Sequence, residues 1–260
     1  MNTNLISNVA IATFIVMMAG FIYQMKTKNA GIVDIIWSFG VMFASLYYAF
    51  MGTGDFTIRW LIALLSGAWF FRLGLHLFFR VFSEPEDGRY AYIRKLYGQK
   101  TNYFHFPFFT FQTGLVVLFS LPMWFVSHHP DPSSTAMLIA TIIIFIAFIG
   151  EFQADHQLHL FRSDPDNAGK TCNQGLWKYS RHPNYFFEWV HWFAYPILAI
   201  GMPHSAWLWL APILMFLFLW FITGIPFTEK QALKTRGDSY RDYQKTTSAF
   251  FLWPPKKRIN

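Results

Sequence analysis

Apolar residues come in long unbroken runs separated by short polar ones. Seven runs can be marked, at about 5–25, 32–50, 58–80, 105–127, 134–154, 186–201 and 205–227. Most approach the ~20 residues a helix needs to cross a bilayer. The third run is interrupted by charge, and the sixth is short. The fifth is expected to continue as helix through Glu151 and Asp155 to about Arg162, giving a helix over 134–162, before Ser163-Asp164-Pro165-Asp166-Asn167 stops it. Ser83-Glu84-Pro85-Glu86-Asp87-Gly88 ends the third helix and opens a mixed-charge helix toward Leu96. The first run lacks a basic flank and a small-residue cleavage site, so it reads as a retained helix. The pattern predicts an all-α integral membrane protein, a seven-transmembrane-helix bundle forming a single membrane domain over 1–260 with a tail over 228–260.

Composition agrees. Of 260 residues, 54% are hydrophobic, 21% aromatic and 13% charged, too apolar for a soluble domain of this length. Cations set the expected orientation, because Lys and Arg accumulate in loops that stay cytoplasmic. Lys26 and Lys28 lie in the first loop, Arg89, Arg94, Lys95 and Lys100 in the third, and Arg162, Lys170, Lys178 and Arg181 in the fifth. The tail adds eight more, whereas the even loops hold only Arg59. The N-terminus is therefore expected outside and the C-terminus in the cytoplasm. The net charge of +7 is spread along this basic rim, where anionic lipid and topology account for it, so nucleic acid is not an expected partner. Cys172 is the only cysteine, which excludes an intrachain disulfide and a thiolate metal cluster. Phe250, Phe251 and Trp253 before Lys256-Lys257-Arg258 read as an interfacial anchor.

Three polar stripes stand out at helical spacing. They are Arg72, His76 and Arg80; Glu151, Asp155, His159 and Arg162; and Asn184, Glu188 and His191. Ionisable groups are expensive in hydrocarbon and tend to line a site, so the stripes are expected to face a shared cavity. Snorkelling and helix-to-helix pairing are the structural alternatives for each residue taken singly. The run Gly175 to Glu188 reads as the floor of such a pocket. Arg162 and Arg181, with Lys170 and Lys178, suit phosphate oxygens. Asp155, Asn184 and Glu188 suit ribose hydroxyls, carboxamides or amines. Tyr179, Tyr185 and Trp189 offer rings for stacking on a base, although Trp and Tyr at this depth are more often interface anchors. No Gly-x-Gly-x-x-Gly or Walker sequence is present, so a nucleotide would have to bind within the helix bundle. His156 and His159 form one i, i+3 pair while the other histidines are scattered, so no metal is expected.

The residues Gly175 to Glu188 and the tail Glu229-Lys230-Gln231-Ala232-Leu233 through Arg236-Gly237-Asp238-Ser239-Tyr240-Arg241-Asp242-Tyr243 resemble the steroid 5-alpha-reductase-like membrane proteins. Within them the chain is similar to a bacterial group known as a domain of unknown function, the DUF1295-like group. Val33-Asp34-Ile35-Ile36-Trp37 and the segment Arg72 to Arg80 add to the resemblance. It implies a seven-helix bundle in a bacterial inner membrane that holds NADPH in a cytoplasm-facing cavity and delivers hydride to a carbon-carbon double bond conjugated with a carbonyl. The substrate would be lipophilic, and membrane lipids would surround the chain. Cofactor contacts carry over to Asp155, Arg162, Asn184 and Glu188. Glu151 stands where the steroid enzymes have an amide, and Lys178, Arg181, His182, Tyr185, Arg236 and Tyr240 complete the candidate set. The family's proton-donating tyrosine position is Leu77 here, which leaves His76, Tyr179 or Tyr185 to supply the proton, with His76 favoured.

Two other readings remain open. The Arg-His-Pro turn and the tyrosine-containing tail also resemble isoprenylcysteine carboxyl methyltransferases, in which case Arg181, His182, Tyr185, Glu188 and Glu229 would hold S-adenosylmethionine. Asp155 with Arg162 matches the reductase side. The third reading is a non-enzymatic lipid-binding bundle whose polar stripes knit helices together.

Overall fold

Long apolar runs satisfy their backbone polar groups internally only as helices, and the computed structural model, described over residues 1–222 and 224–256, has helices and connecting loops, with no strand among these residues and a single isolated bridge, Ser180 to Ser248. The expected Lys257 and Arg258 of the anchor cluster lie outside the described residues. Among the described residues, six helical segments are long and apolar enough to cross a membrane: Asn4–Thr27, Ile32–Met51, Phe56–Ser83, Gly88–Val126, Ser134–Ser163 and Ser205–Arg236. The chain divides by packing into two compact units, 1–133 with 198–203 and 134–197 with 204–260.

The first unit contains α1 (Asn4–Thr27), α2 (Ile32–Met51), α3 (Phe56–Ser83), α4 (Gly88–Tyr97) and α5 (Thr101–Val126). Helix α2 packs on α3 and α5, and α1 on α5. Close approach depends on small residues: a Cβ on Gly74 would lie 2.8 Å from the Phe39 ring. Asp55 caps α3 through the Thr57 N–H at 2.7 Å, and Asp87 caps α4 through the Arg89 N–H at 2.9 Å. The basic end of this unit is tied by charge. Asp34 accepts from Arg89 at 3.0 Å and from the Tyr90 hydroxyl at 2.8 Å, with Arg80 at 3.8 Å, while Glu86 holds Arg94 through two bonds. Arg80, one of the stripe residues, thus ends in an ion-pair network.

The second unit begins with α6 (Ser134–Ser163), which runs as far past the apolar run as expected. The stretch expected as one helix over 186–201 is instead α7 (Pro183–His191) and the five-residue α8 (Ala194–Leu198). Apolarity alone did not reveal this break. Pro183 opens α7, the i→i+3 bonds of Trp192 and Phe193 tighten its end, and Pro196 sits inside α8. Gly150 of α6 admits α7, since a Cβ there would lie 2.3 Å from the Phe187 ring. Helix α9 (Leu210–Leu217) passes into a π-turn at Phe218–Ile222, and α10 (Ile225–Arg236) follows Gly224. The expected tail contains α10 and α11 (Asp238–Thr246), joined by Gly237 at φ 53°.

Candidate functional site

The 164–182 loop of the second unit is held against α6. Gln157 accepts the Leu176 N–H at 2.8 Å, and the Trp177 indole donates to the Ala154 carbonyl at 2.9 Å. Gly175, at φ 56°, lies so close to the Gln157 side chain that a Cβ would come within 2.4 Å of it. The tail then folds back onto this loop. Arg181 N–H donates to Ser248 O at 2.9 Å, Trp253 N–H to Tyr179 O at 3.1 Å, and the Ser180 hydroxyl to Phe250 O at 2.8 Å. Phe250 is fully buried among Phe186, Trp189, Phe216 and Trp220.

This folding assembles a polar knot around one carboxylate. Glu229 Oε1 accepts from Arg181 Nε at 2.6 Å and from Tyr240 at 3.4 Å, with His182 Nε2 also at 3.4 Å. Its Oε2 accepts from Gln244 at 2.7 Å. Arg181 also donates through Nη1 to the carbonyls of Thr247 at 2.6 Å and Gln244 at 3.2 Å. The guanidinium read from the sequence as a phosphate fork is therefore largely committed to its own chain. His182 is buried, and its ring stacks on Tyr185 at 5.3 Å with the planes 7° apart. Burial pushes the His182 pKa down, Arg181 adds to this, and Glu229 opposes both. The Tyr240 hydroxyl is pushed up, chiefly by burial and then by the Glu229 charge. Tyr185 reaches Thr228 Oγ1 at 3.2 Å.

A second polar contact joins α6 and α7. Asn184 Nδ2 donates to Asp155 Oδ1 at 3.2 Å, and both side chains are half-buried. One turn further along α7, Glu188 accepts the Trp192 indole N–H at 3.0 Å and lies 4.0 Å from His191 Nδ1. Glu151, one turn before Asp155, is buried. Arg162 is exposed at the end of α6 and Arg236 half-buried at the end of α10. Both act electrostatically on buried Cys172, whose thiol is nevertheless pushed up by burial. Lys178 and Tyr179 are exposed on the loop. The structure thus brings together Asp155 with Asn184, and Arg181 with His182, Tyr185 and Tyr240. His76 belongs to the first unit, on α3, where its side chain is exposed.

Gln244 and Thr228 were not singled out by the sequence, and Glu229, part of the tail that carries the resemblance, was given a binding role only in the methyltransferase alternative. The available signal was an acid just past the last apolar run, followed directly by Lys230. Among the described residues no group of three or more His, Cys, Asp or Glu side chains is placed to hold a metal ion. No curated protein and no solved structure matches the chain. A family model does match, over residues 20–247, and the chain belongs to that family, Protein of unknown function (DUF1295).

Proposed function

We propose that the protein is an NADPH-dependent membrane reductase that transfers hydride to the enone-type double bond of a lipophilic substrate. The observation that carries the reading is the 3.2 Å approach of Asp155 and Asn184 from separate helices, two residues that the resemblance to the steroid 5-alpha-reductase-like proteins assigns to the cofactor. A carboxylate and an amide side by side match a ligand that presents hydroxyl or carboxamide groups. Exposed Arg162 and Lys178 and half-buried Arg236 match its phosphates. The residues present therefore fit a dinucleotide, with Arg181 contributing less than its type suggests.

NADPH, when bound, supplies the hydride. Asp155 and Asn184 orient it, Glu188 completes the acidic side, and the cations neutralise phosphate charge. The chain must then place a proton donor at the enolate oxygen. That role is given to His76 from the sequence alone, since Leu77 occupies the family's tyrosine position. In this reading α7 and α8, 183–198, count as one broken crossing of about 24 Å at 1.5 Å per residue. Seven crossings then put the N-terminus outside and the C-terminus in the cytoplasm, with the protein in a bacterial inner membrane.

One observation favours a second reading: Arg181, His182, Tyr185 and Glu229, the methyltransferase candidates, do converge. Their hydrogen bonds are mostly spent on one another and on the tail, which fits a structural knot better than a site for S-adenosylmethionine. The test is NADPH oxidation by purified protein with a panel of lipophilic enones. Turnover is expected, with His76→Gln lowering kcat more than it weakens cofactor binding. Equal loss of both would remove His76 from the chemistry. Methyl transfer from S-adenosylmethionine without NADPH oxidation would replace the reading.

A further inference from the structure

The returning tail leaves a groove of about 700 Å³ in the second unit, lined by both apolar and cationic side chains. The apolar part of the lining includes Phe186 of α7 with Phe251 and Trp253 of the tail. Phe251 is 46% exposed and Trp253 69% exposed, so their rings are open to whatever surrounds the protein. The polar part includes Lys245, Thr246 and Lys256. The Lys256 N–H donates to Thr246 O at 2.8 Å, which draws the second lysine to the end of α11 that bears the first. Lys245 Nζ pairs with Asp242 at 2.8 Å, but the two side chains are 73% and 54% exposed. Such a surface pair holds its partner weakly and yields readily to a competing anion. Lys256 has no acidic partner among the described residues. Arg181 also lines the groove, though its charge is already met by Glu229.

We propose that this groove seats an anionic membrane lipid, with the headgroup phosphate between Lys245 and Lys256 and an acyl chain along Phe186, Phe251 and Trp253. The observation behind the occupant is that one groove is lined both by two neighbouring lysines and by open aromatic rings, in a chain with membrane-spanning segments. An amphiphile meets both requirements, whereas a soluble anion leaves the aromatic rings wet. Basic residues at the surface attract anionic headgroups, and aromatic rings suit the headgroup level. The site does not include the Asp155–Asn184 pair and does not rest on the reductase reading.

The test is native mass spectrometry of the full chain titrated with phosphatidylglycerol or phosphatidylcholine of the same acyl chains. Phosphatidylglycerol is expected to bind at least about tenfold more tightly. Lys245→Gln with Lys256→Gln should erase that preference, and Trp253→Ala should weaken both lipids. Both lysines are exposed, so the double variant should keep the parent melting temperature. A preference that survives the double variant would overturn the proposal. So would displacement of the lipid by glycerol phosphate at equal concentration, which would identify a site for soluble phosphate instead.

Discussion

Replacing Glu229 with alanine removes an acceptor shared by Arg181, Tyr240 and Gln244, with His182 also at its edge. The Arg181 and Glu229 side chains are only 11% and 15% exposed, so the guanidinium would lose its counter-charge where water reaches it poorly. Breaking a buried pair from one side costs about 3–5 kcal/mol. For a chain of this length each kcal/mol moves the melting temperature by roughly 2–4 °C, giving a fall of about 6–20 °C. Glu229→Gln keeps one carbonyl acceptor and should cost less, about 1.5–3 kcal/mol, the range for a hydrogen bond to a charged group. The assay is thermal unfolding of detergent-purified protein, followed by intrinsic tryptophan fluorescence. Limited trypsin digestion gives a second readout: Arg181 anchors the Gln244 and Thr247 carbonyls, so the variant should be cut earlier at Lys245 and Lys256. A melting temperature within about 2 °C of the parent, with unchanged cleavage, would refute the view that this carboxylate pins the tail.

The same knot predicts a pH response. The His182 pKa is depressed in the fold, so the unfolded chain binds its proton first, and stability should fall as pH drops below about 6.5 toward the folded value. His182→Gln should flatten that part of the pH–stability profile; an unchanged slope would mean that another group titrates. At the α6–α7 contact, Gly150→Leu forces side-chain atoms into the Phe187 ring and should destabilise by about 1–3 kcal/mol. Adding Phe187→Ala should recover part of the loss, which melting of the single and double variants would measure.

The long helices were legible because length and apolarity suffice to specify a crossing, and the extension of α6 past the apolar run was legible to about Arg162, one residue short of its end at Ser163. The break at Trp192 was not. An apolar run reads the same whether its helix is continuous or interrupted, and only Pro196 hinted otherwise. Asp155 and Asn184 were singled out on separate helices, and the structure joins them. Arg181 shows where such reasoning stops. Its type and position suggested phosphate, but two of its partners are backbone carbonyls 63 and 66 residues later, and carbonyls have no sequence signature. The tail was read as an anchor from its aromatics. That Phe250 turns inward while Phe251 and Trp253 stay exposed follows from the return of the chain onto Tyr179 and Ser180, which the sequence does not encode locally.

The most direct test of the reductase account is calorimetric titration of NADPH into the detergent-purified protein, its Arg162→Ala variant and its Asn184→Ala variant, repeated with S-adenosylmethionine as competitor. The account predicts that the parent binds NADPH, that Arg162→Ala loses at least about tenfold in affinity, as expected when a hydrogen bond to a charged phosphate is removed, that Asn184→Ala loses about threefold to tenfold, as expected for a neutral hydrogen bond, and that S-adenosylmethionine does not compete. Absence of NADPH binding by the parent, or binding by both variants as tight as the parent's, would contradict it.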